Sequence, residues 1–259
     1  MTILHSIILG IVEGITEFLP ISSTGHMILM SKLLGIAESD FVKSFEIIIQ
    51  LGAILAVVVF YWKKIWDWKM IKKLFVGFLP TGIIGLALYK IVKAYLLGNE
   101  KIVLWSLFIG GVVLIIFELW HERYFWKMRL ADEKVEDVSY KQAVVMGLSQ
   151  SLAIIPGVSR SAATIVGGLA MGLSRKTVVE FSFLLAVPTM LAATGLDLVK
   201  NYQTFFASEF NVLVIGFLVS FAVALLSIKW LLVFIRQHNF IPFGIYRIII
   251  ALVFWFTIR

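Results

Sequence analysis

The chain of 259 residues contains no cysteine, which excludes disulfides and thiolate metal sites but says nothing about redox compartment. Charge is scarce as well. Only 15% of the residues are Asp, Glu, Lys or Arg, 60% are apolar, and the mean hydropathy is +0.97. That balance excludes an ordinary soluble domain. A membrane-spanning helix needs about 20 mostly apolar residues, so a chain of this length holds roughly six to eight membrane segments and no sizeable soluble domain. The net charge of +7 does not point to nucleic acid, because the basic residues lie in short loops between apolar runs, where an excess of Lys and Arg marks the cytoplasmic side. Nor does the start of the chain look like a cleavable signal: Met1 to Ile15 lacks a basic region and runs into Glu13 and Glu17, so it is read as mature protein.

What is there is a run of hydrophobic segments. Six read as full spans: Phe45 to Tyr61, Leu74 to Tyr89, Val103 to Leu119, Val179 to Val199, Val212 to Leu232 and Phe243 to Ile258. Two further stretches, Leu4 to Leu34 and Ala143 to Leu173, are apolar on average but broken, the first by Pro20, Ser22, Ser23, Thr24 and Gly25, the second by Pro156, Gly157, Ser159, Arg160 and Ser161. Broken backbone at membrane depth survives only where protein or a wet cavity satisfies its polar groups, so both read as re-entrant helix pairs. The expected fold is an all-α integral membrane protein with six transmembrane helices and two re-entrant helix pairs, forming one polytopic domain.

Lys63, Lys64, Lys69, Lys72 and Lys73 crowd one loop, and Arg123, Lys127, Arg129, Lys134 and Lys141 the longest one; both are expected on the cytoplasmic side. The loop from Thr194 to Asn211 carries only Lys200 and suits the opposite side, although Lys90, Lys93 and Lys101 blur the pattern at a second outer loop. The two halves, about 1–120 and 142–259, resemble each other: Gly10 to Pro20 parallels Gly147 to Pro156, Glu46 parallels Glu180, and Gly77-Phe78-Leu79 parallels Gly216-Phe217-Leu218. One re-entrant pair plus three spans, repeated, requires the second copy to be inverted, which brings the two broken segments together near the midplane. Coincidence among Gly, Phe and Leu is the competing explanation of the fine alignment.

The polar residues of those segments carry the chemistry. Glu13 and Glu17 share one helix face, and two carboxylates at this depth call for a shared cation; hard oxygen ligands suit Mg²⁺ or Ca²⁺, unless the pair merely faces a wet vestibule. Gln150 holds the position matching Glu13. Pro20-Ile21-Ser22-Ser23-Thr24-Gly25-His26 offers hydroxyls, a new helix start and an imidazole, hence an anion cradle with a proton-transfer group. Helix capping accounts for Ser22 or Ser23 equally, and a structural role for His26 stays open. Arg160 is the expected phosphate clamp, joined by Ser159, Ser161 and Thr164; the alternative is a salt bridge from Arg160 to Glu13 or Glu17. Ser174 to Thr177 reads as a cap for the following span, Trp62, Trp66 and Trp68 as interface anchors, and His5, His121 and His238 as structural.

Glu13-x-x-x-Glu17, the run from Pro20 to His26, and Pro156-Gly157-Val158-Ser159-Arg160-Ser161-Ala162-Ala163-Thr164 together resemble the BacA-type undecaprenyl-pyrophosphate phosphatases of bacteria, over the whole chain and without departure at any motif position. The resemblance implies a membrane enzyme that removes the terminal phosphate of a C55 polyprenyl diphosphate to regenerate a lipid carrier for envelope synthesis. It also implies a divalent cation, a site open to the periplasmic side of the inner membrane, and tolerance to bacitracin, which competes for the substrate. No nucleic-acid partner is expected; membrane lipids are, and a homodimer is compatible. Residue by residue, it places Glu13 and Glu17 at the metal and in acid/base work, Ser22, Ser23 and His26 at the reacting centre, and Ser159, Arg160 and Thr164 on the phosphate. Ser23 or a water is the expected nucleophile with His26 or Glu17 handling the proton; direct attack by His26 is the alternative. A polyprenyl-phosphate flippase using the same binding site is the rival function.

Overall fold

The computed structural model describes residues 1–37, 39–96, 99–125, 134–201 and 210–257, and contains no strand among them. Lys127 and Arg129, on which part of the expected orientation rests, lie outside the described residues, as do residues 202–209 of the stretch between Thr194 and Asn211. Among the described residues eleven α-helices follow one another: α1 (Ile3–Thr16), α2 (Ser23–Leu33), α3 (Asp40–Phe60), a single turn α4 (Trp62–Ile65), α5 (Trp68–Ile91), α6 (Glu100–Phe125), α7 (Tyr140–Gln150), α8 (Arg160–Ala170), α9 (Arg175–Asn201), α10 (Phe210–Phe234) and α11 (Ile241–Thr257).

Among the described residues, five helices are long and apolar enough to cross a membrane: Phe41–Phe60, Trp68–Ile91, Glu100–Arg123, Arg175–Gly195 and Phe210–Phe234. The sixth expected span is a shorter element. Helix α11 has 17 described residues, about 25 Å of helix against a hydrocarbon core of about 30 Å, and a wholly buried Arg247 sits within it. Pairs α1–α2 and α7–α8 consist of helices of 14, 11, 11 and 11 residues, none of them able to span alone. Each pair breaks where the prolines stand, at Pro20 and Pro156.

Local chemistry sets the helix starts. The side chain of Ser39 accepts from the Val42 N–H at 3.2 Å, that of Asp67 from the Lys69 N–H at 3.0 Å, and Ser139 and Gln142 form a reciprocal capping box. Ser174 caps α9 through the Thr177 N–H at 3.3 Å, as its sequence context suggests. The neighbouring Arg175 does more: it reaches Glu118 of α6 at 2.5 Å and Glu122 at 3.3 Å, a buried tie that gives both acidic residues of α6 beyond Phe117 a counter-charge.

Helices of the first half pack on helices of the second. Helix α1 lies on α10 while α7 lies on α5, α3 lies on α10 while α9 lies on α5, and α6 packs on α11. The crossings use matching glycines. A Cβ added at Gly10 would meet the Gly216 carbonyl at 2.9 Å, and one at Gly147 would meet the Gly77 carbonyl at 1.8 Å, so both crossings are backbone against backbone. Large apolar side chains such as Phe75, Ile83, Leu86, Ile116, Leu226 and Phe256 point outward, as a lipid-facing surface requires.

Candidate active site

The two breaks fold alike. Ser22 and Ser159 have φ of 73° and 79° and are the only non-glycine residues with positive φ among those described. Such backbone costs about 1–3 kcal/mol and persists only where its surroundings hold it. Each serine then caps the helix that follows: Ser22 Oγ accepts from the Gly25 N–H at 3.4 Å, Ser159 Oγ from the Ala162 N–H at 3.1 Å. Two helix N-termini, α2 and α8, are thereby started next to each other. Between them, α3 and α9 is a cavity of about 180 Å³ lined by Glu17, Ser22, Ser23, Thr24, Gln50, Pro156, Gly157, Ser159, Arg160 and Thr189, among others. Two helix starts, hydroxyls and a guanidinium bordering one small space are the groups that an anion site is made of.

Glu17 is the centre of that chamber. One carboxylate oxygen accepts from Arg160 Nη2 at 2.9 Å and the other accepts a short hydrogen bond from the Ser23 hydroxyl. Side-chain exposures of 12% for Arg160 and 5% for Glu17 leave the pair little competing water, so it joins the two halves of the chain through a desolvated contact. Arg160 Nη1 donates to the Ser182 carbonyl at 2.8 Å, while its Nε is buried without a partner and the arginine lines the cavity. Of the two readings of Arg160, the structure shows the salt bridge, to Glu17, and the guanidinium keeps one donor, Nε, without a partner.

Glu13 is 2% exposed, stands one helical turn before Glu17, and keeps Oε1 buried without a partner. Adjacent buried carboxyls must share a proton or a cation. Among the described residues no third Asp, Glu or His joins them in a three-ligand cluster. The donor set would fit a hard cation that takes oxygen ligands, with the orphaned Glu13 oxygen as the observation that favours it.

Three residues expected on the substrate are directed elsewhere. His26 does not line the cavity: Nδ1 meets the Ser22 carbonyl at 2.8 Å and Nε2 meets the Tyr246 hydroxyl at 2.9 Å. With Nδ1 donating to the carbonyl, Nε2 accepts from the tyrosine, and both ring nitrogens are engaged. Ser161 donates to the Phe18 carbonyl at 2.9 Å, which docks α8 on the first break. Thr164 reaches the Arg160 and Ser161 carbonyls at 3.0 Å and Ser182 Oγ at 2.5 Å. Each has a helix turn or a neighbouring helix as partner, which a sequence pattern alone does not distinguish from a ligand.

Gln50, Thr189 and Ser182 are additions that the sequence reading passed over, since single polar residues inside apolar spans look unremarkable. Gln150, the counterpart of Glu13, donates to Thr81 and Thr189 at 2.9 Å each. Arg247 is the larger omission; a guanidinium inside an apolar stretch is costly enough to have signalled a role.

Comparison with known proteins comes to the same place. The family model described as bacitracin resistance protein BacA matches residues 6–253. Among similar proteins, the undecaprenyl-diphosphatase of Sulfurihydrogenibium sp. (strain YO3AOP1) is 53% identical over 98% of this chain and 99% of its own length. The undecaprenyl-diphosphatases of Aquifex aeolicus (strain VF5) and Bdellovibrio bacteriovorus are 52% and 51% identical, each over 98% of this chain and over 98% and 95% of their own lengths.

Proposed function

The chain belongs to the bacitracin resistance protein BacA family, and from that premise we propose that it hydrolyses undecaprenyl diphosphate to undecaprenyl phosphate and inorganic phosphate within the membrane. The observation that carries the reading is the meeting of Glu17, Ser23 and Arg160, from opposite halves of the chain, on one cavity flanked by two helix starts. A diphosphate on a lipid cannot leave the bilayer, so the phosphatase must bring donors and counter-charge to membrane depth. Re-entrant helix ends do that.

In this reading Arg160 and the amides at the starts of α2 and α8 hold the terminal phosphate and take up the charge that spreads over its oxygens during transfer. Ser23 sits at the first position of α2 with its hydroxyl proton directed to Glu17, so Glu17 is placed to accept that proton as the serine oxygen attacks phosphorus. The bond from phosphorus to the bridging oxygen breaks, and undecaprenyl phosphate leaves with the proton that Glu17 had taken. The restored carboxylate then deprotonates a water that attacks the phosphoserine, breaks the bond between Ser23 Oγ and phosphorus, and releases inorganic phosphate as the proton returns to Ser23. Glu13 and Glu17 would hold Mg²⁺ or Ca²⁺, which supplies charge neutralisation at the phosphate oxygens. His26 holds the Ser22 carbonyl and thereby the turn from which Ser23 projects. The carrier lipid so regenerated serves cell-wall synthesis, the site faces the periplasmic side of the inner membrane, and consumption of the diphosphate removes the target of bacitracin.

Purified full-length protein in detergent, given undecaprenyl diphosphate with Mg²⁺ or Ca²⁺, is expected to release inorganic phosphate. Absence of release across metals and pH, with transbilayer movement of a polyprenyl phosphate in proteoliposomes, would replace the phosphatase by the flippase.

A further inference from the structure

Arg247 of α11 is 0% exposed, and all five of its described hydrogen bonds go to backbone carbonyls. Nη1 donates to Val158 at 2.9 Å and, with a longer contact of 3.4 Å, to Pro20; Nη2 donates to Gly157 at 2.9 Å and Ser106 at 3.0 Å; Nε donates to Leu107 at 3.3 Å. A buried cation with no acidic partner among these contacts is held by peptide dipoles alone, and three of those peptides belong to the two breaks. Pro20 stands two residues before Ser22, and Gly157 and Val158 directly precede Ser159, the two residues with strained positive φ.

Peptide geometry gives this contact a direction. In a planar trans peptide the carbonyl and the following N–H point opposite ways. With the Val158 carbonyl on Arg247, the Ser159 N–H is turned away from Arg247, and Ser159 is a residue that lines the cavity while Arg247 is not. The sequence interval that separates Ser22 from Ser159 also separates Gly110 from Arg247, and a Cβ added at Gly110 would lie 2.1 Å from Arg247 Nη2. The first half therefore leaves, at the matching place on α6, the room that the second half's arginine fills.

We propose that Arg247 is a positioning residue of the active site: by holding the carbonyls of Pro20, Gly157 and Val158 it fixes both breaks and aims the start of α8 at the phosphate. The proposal rests on the phosphatase reading above. Misplacement of reacting groups by about 1 Å costs on the order of 10²-fold in rate. Lysine keeps the charge but cannot span several carbonyls from one planar fork.

The test compares wild type with Arg247→Lys, Arg247→Gly and the double variant Gly110→Arg/Arg247→Gly, each scored in detergent for monodispersity, thermal unfolding, and kcat and KM on undecaprenyl diphosphate. Arg247→Lys is expected to stay folded and to lose roughly 10²-fold in kcat with a smaller change in KM. The double variant, which returns a guanidinium to the same space from α6, is expected to recover turnover relative to Arg247→Gly. A folded Arg247→Lys with wild-type kcat and KM overturns the proposal, and so does failure of every variant to fold, which would make Arg247 a folding residue only. A wild type that releases no phosphate refutes the phosphatase reading instead; protection against thermal unfolding by inorganic pyrophosphate, present in wild type and lost in Arg247→Lys, would then still support the positioning role, and equal protection would overturn it.

Discussion

Replacing Arg160 by alanine separates what the Glu17–Arg160 contact does for the fold from what the guanidinium does for phosphate. At 2.9 Å the Coulomb attraction is about 6 kcal/mol for an effective dielectric near 20, most of it offset by the desolvation of two buried ions. Removing one partner alone leaves the other charge uncompensated, which costs roughly 3–5 kcal/mol. Arg160→Ala should therefore unfold at lower temperature, while Glu17→Gln/Arg160→Ala, which removes both charges, should recover stability by up to about 3 kcal/mol, the coupling of neighbours in one network. Activity should not follow stability. Loss of an arginine that stabilises a transferring phosphoryl group lowers turnover by roughly 10³ to 10⁵-fold, and the double variant should stay as inactive as the single. Thermal unfolding followed by tryptophan fluorescence, with phosphate release measured on the same preparations, reads both quantities. Arg160→Ala turning over within about tenfold of wild type would refute the clamp, and a double variant no more stable than the single would refute the energetic account of the bridge.

Ser23→Ala should abolish turnover, whereas Ser22→Ala, which removes a helix cap, should cost about 0.5–2 kcal/mol of stability and leave measurable phosphate release; the reverse order would move the nucleophile from Ser23. Glu13→Gln should raise the Mg²⁺ or Ca²⁺ concentration giving half-maximal activity by about tenfold or more, and an unchanged metal titration would take Glu13 out of the cation site. Gly147→Ala drives a Cβ into the Gly77 carbonyl and should cost more than the roughly 1–3 kcal/mol of ordinary overpacking, while Gly195→Ala, with no atom within 4 Å of the added Cβ, should be neutral or stabilise its helix by up to about 1 kcal/mol; equal thermal midpoints for the two would contradict the packing described for α5 and α7.

The helices and the place of the site were legible because residue types there are unusual for their surroundings. Glutamates, hydroxyls and an arginine clustered around two proline breaks cannot be lipid-facing, so Glu17, Ser23 and Arg160 could be named before any geometry was known. Directions of side chains were not legible. His26 stands three residues from Ser23, yet its ring turns to Tyr246, whose approach depends on how α11 packs, and no local pattern encodes that. Ser161 and Thr164 look like ligands by composition but bond the Phe18 carbonyl and Ser182 once α8 docks. Arg247 was overlooked for a different reason: one charge barely lowers the mean hydropathy of the stretch from Phe243 to Ile258, so a window average hides the residue that most needs explaining.

The repeat also accounts for why two similar halves do not make two similar sites. Gln150 stands where Glu13 does in the first half, Arg160 where Ser23 does, and Arg247 where Gly110 does. At each of these pairs one half has an acid, a hydroxyl or a glycine and the other an amide, a guanidinium or a guanidinium. Placing Arg160 at the counterpart of Ser23 puts a positive charge directly across from the hydroxyl and its carboxylate, joined through Glu17 at 2.9 Å. Two acidic halves would repel across the cavity, and two basic halves would hold phosphate without a group to attack it. The chemistry therefore resides in the differences between the halves, while their shared glycines, Gly10 with Gly216 and Gly147 with Gly77, maintain the frame in which those differences face one another.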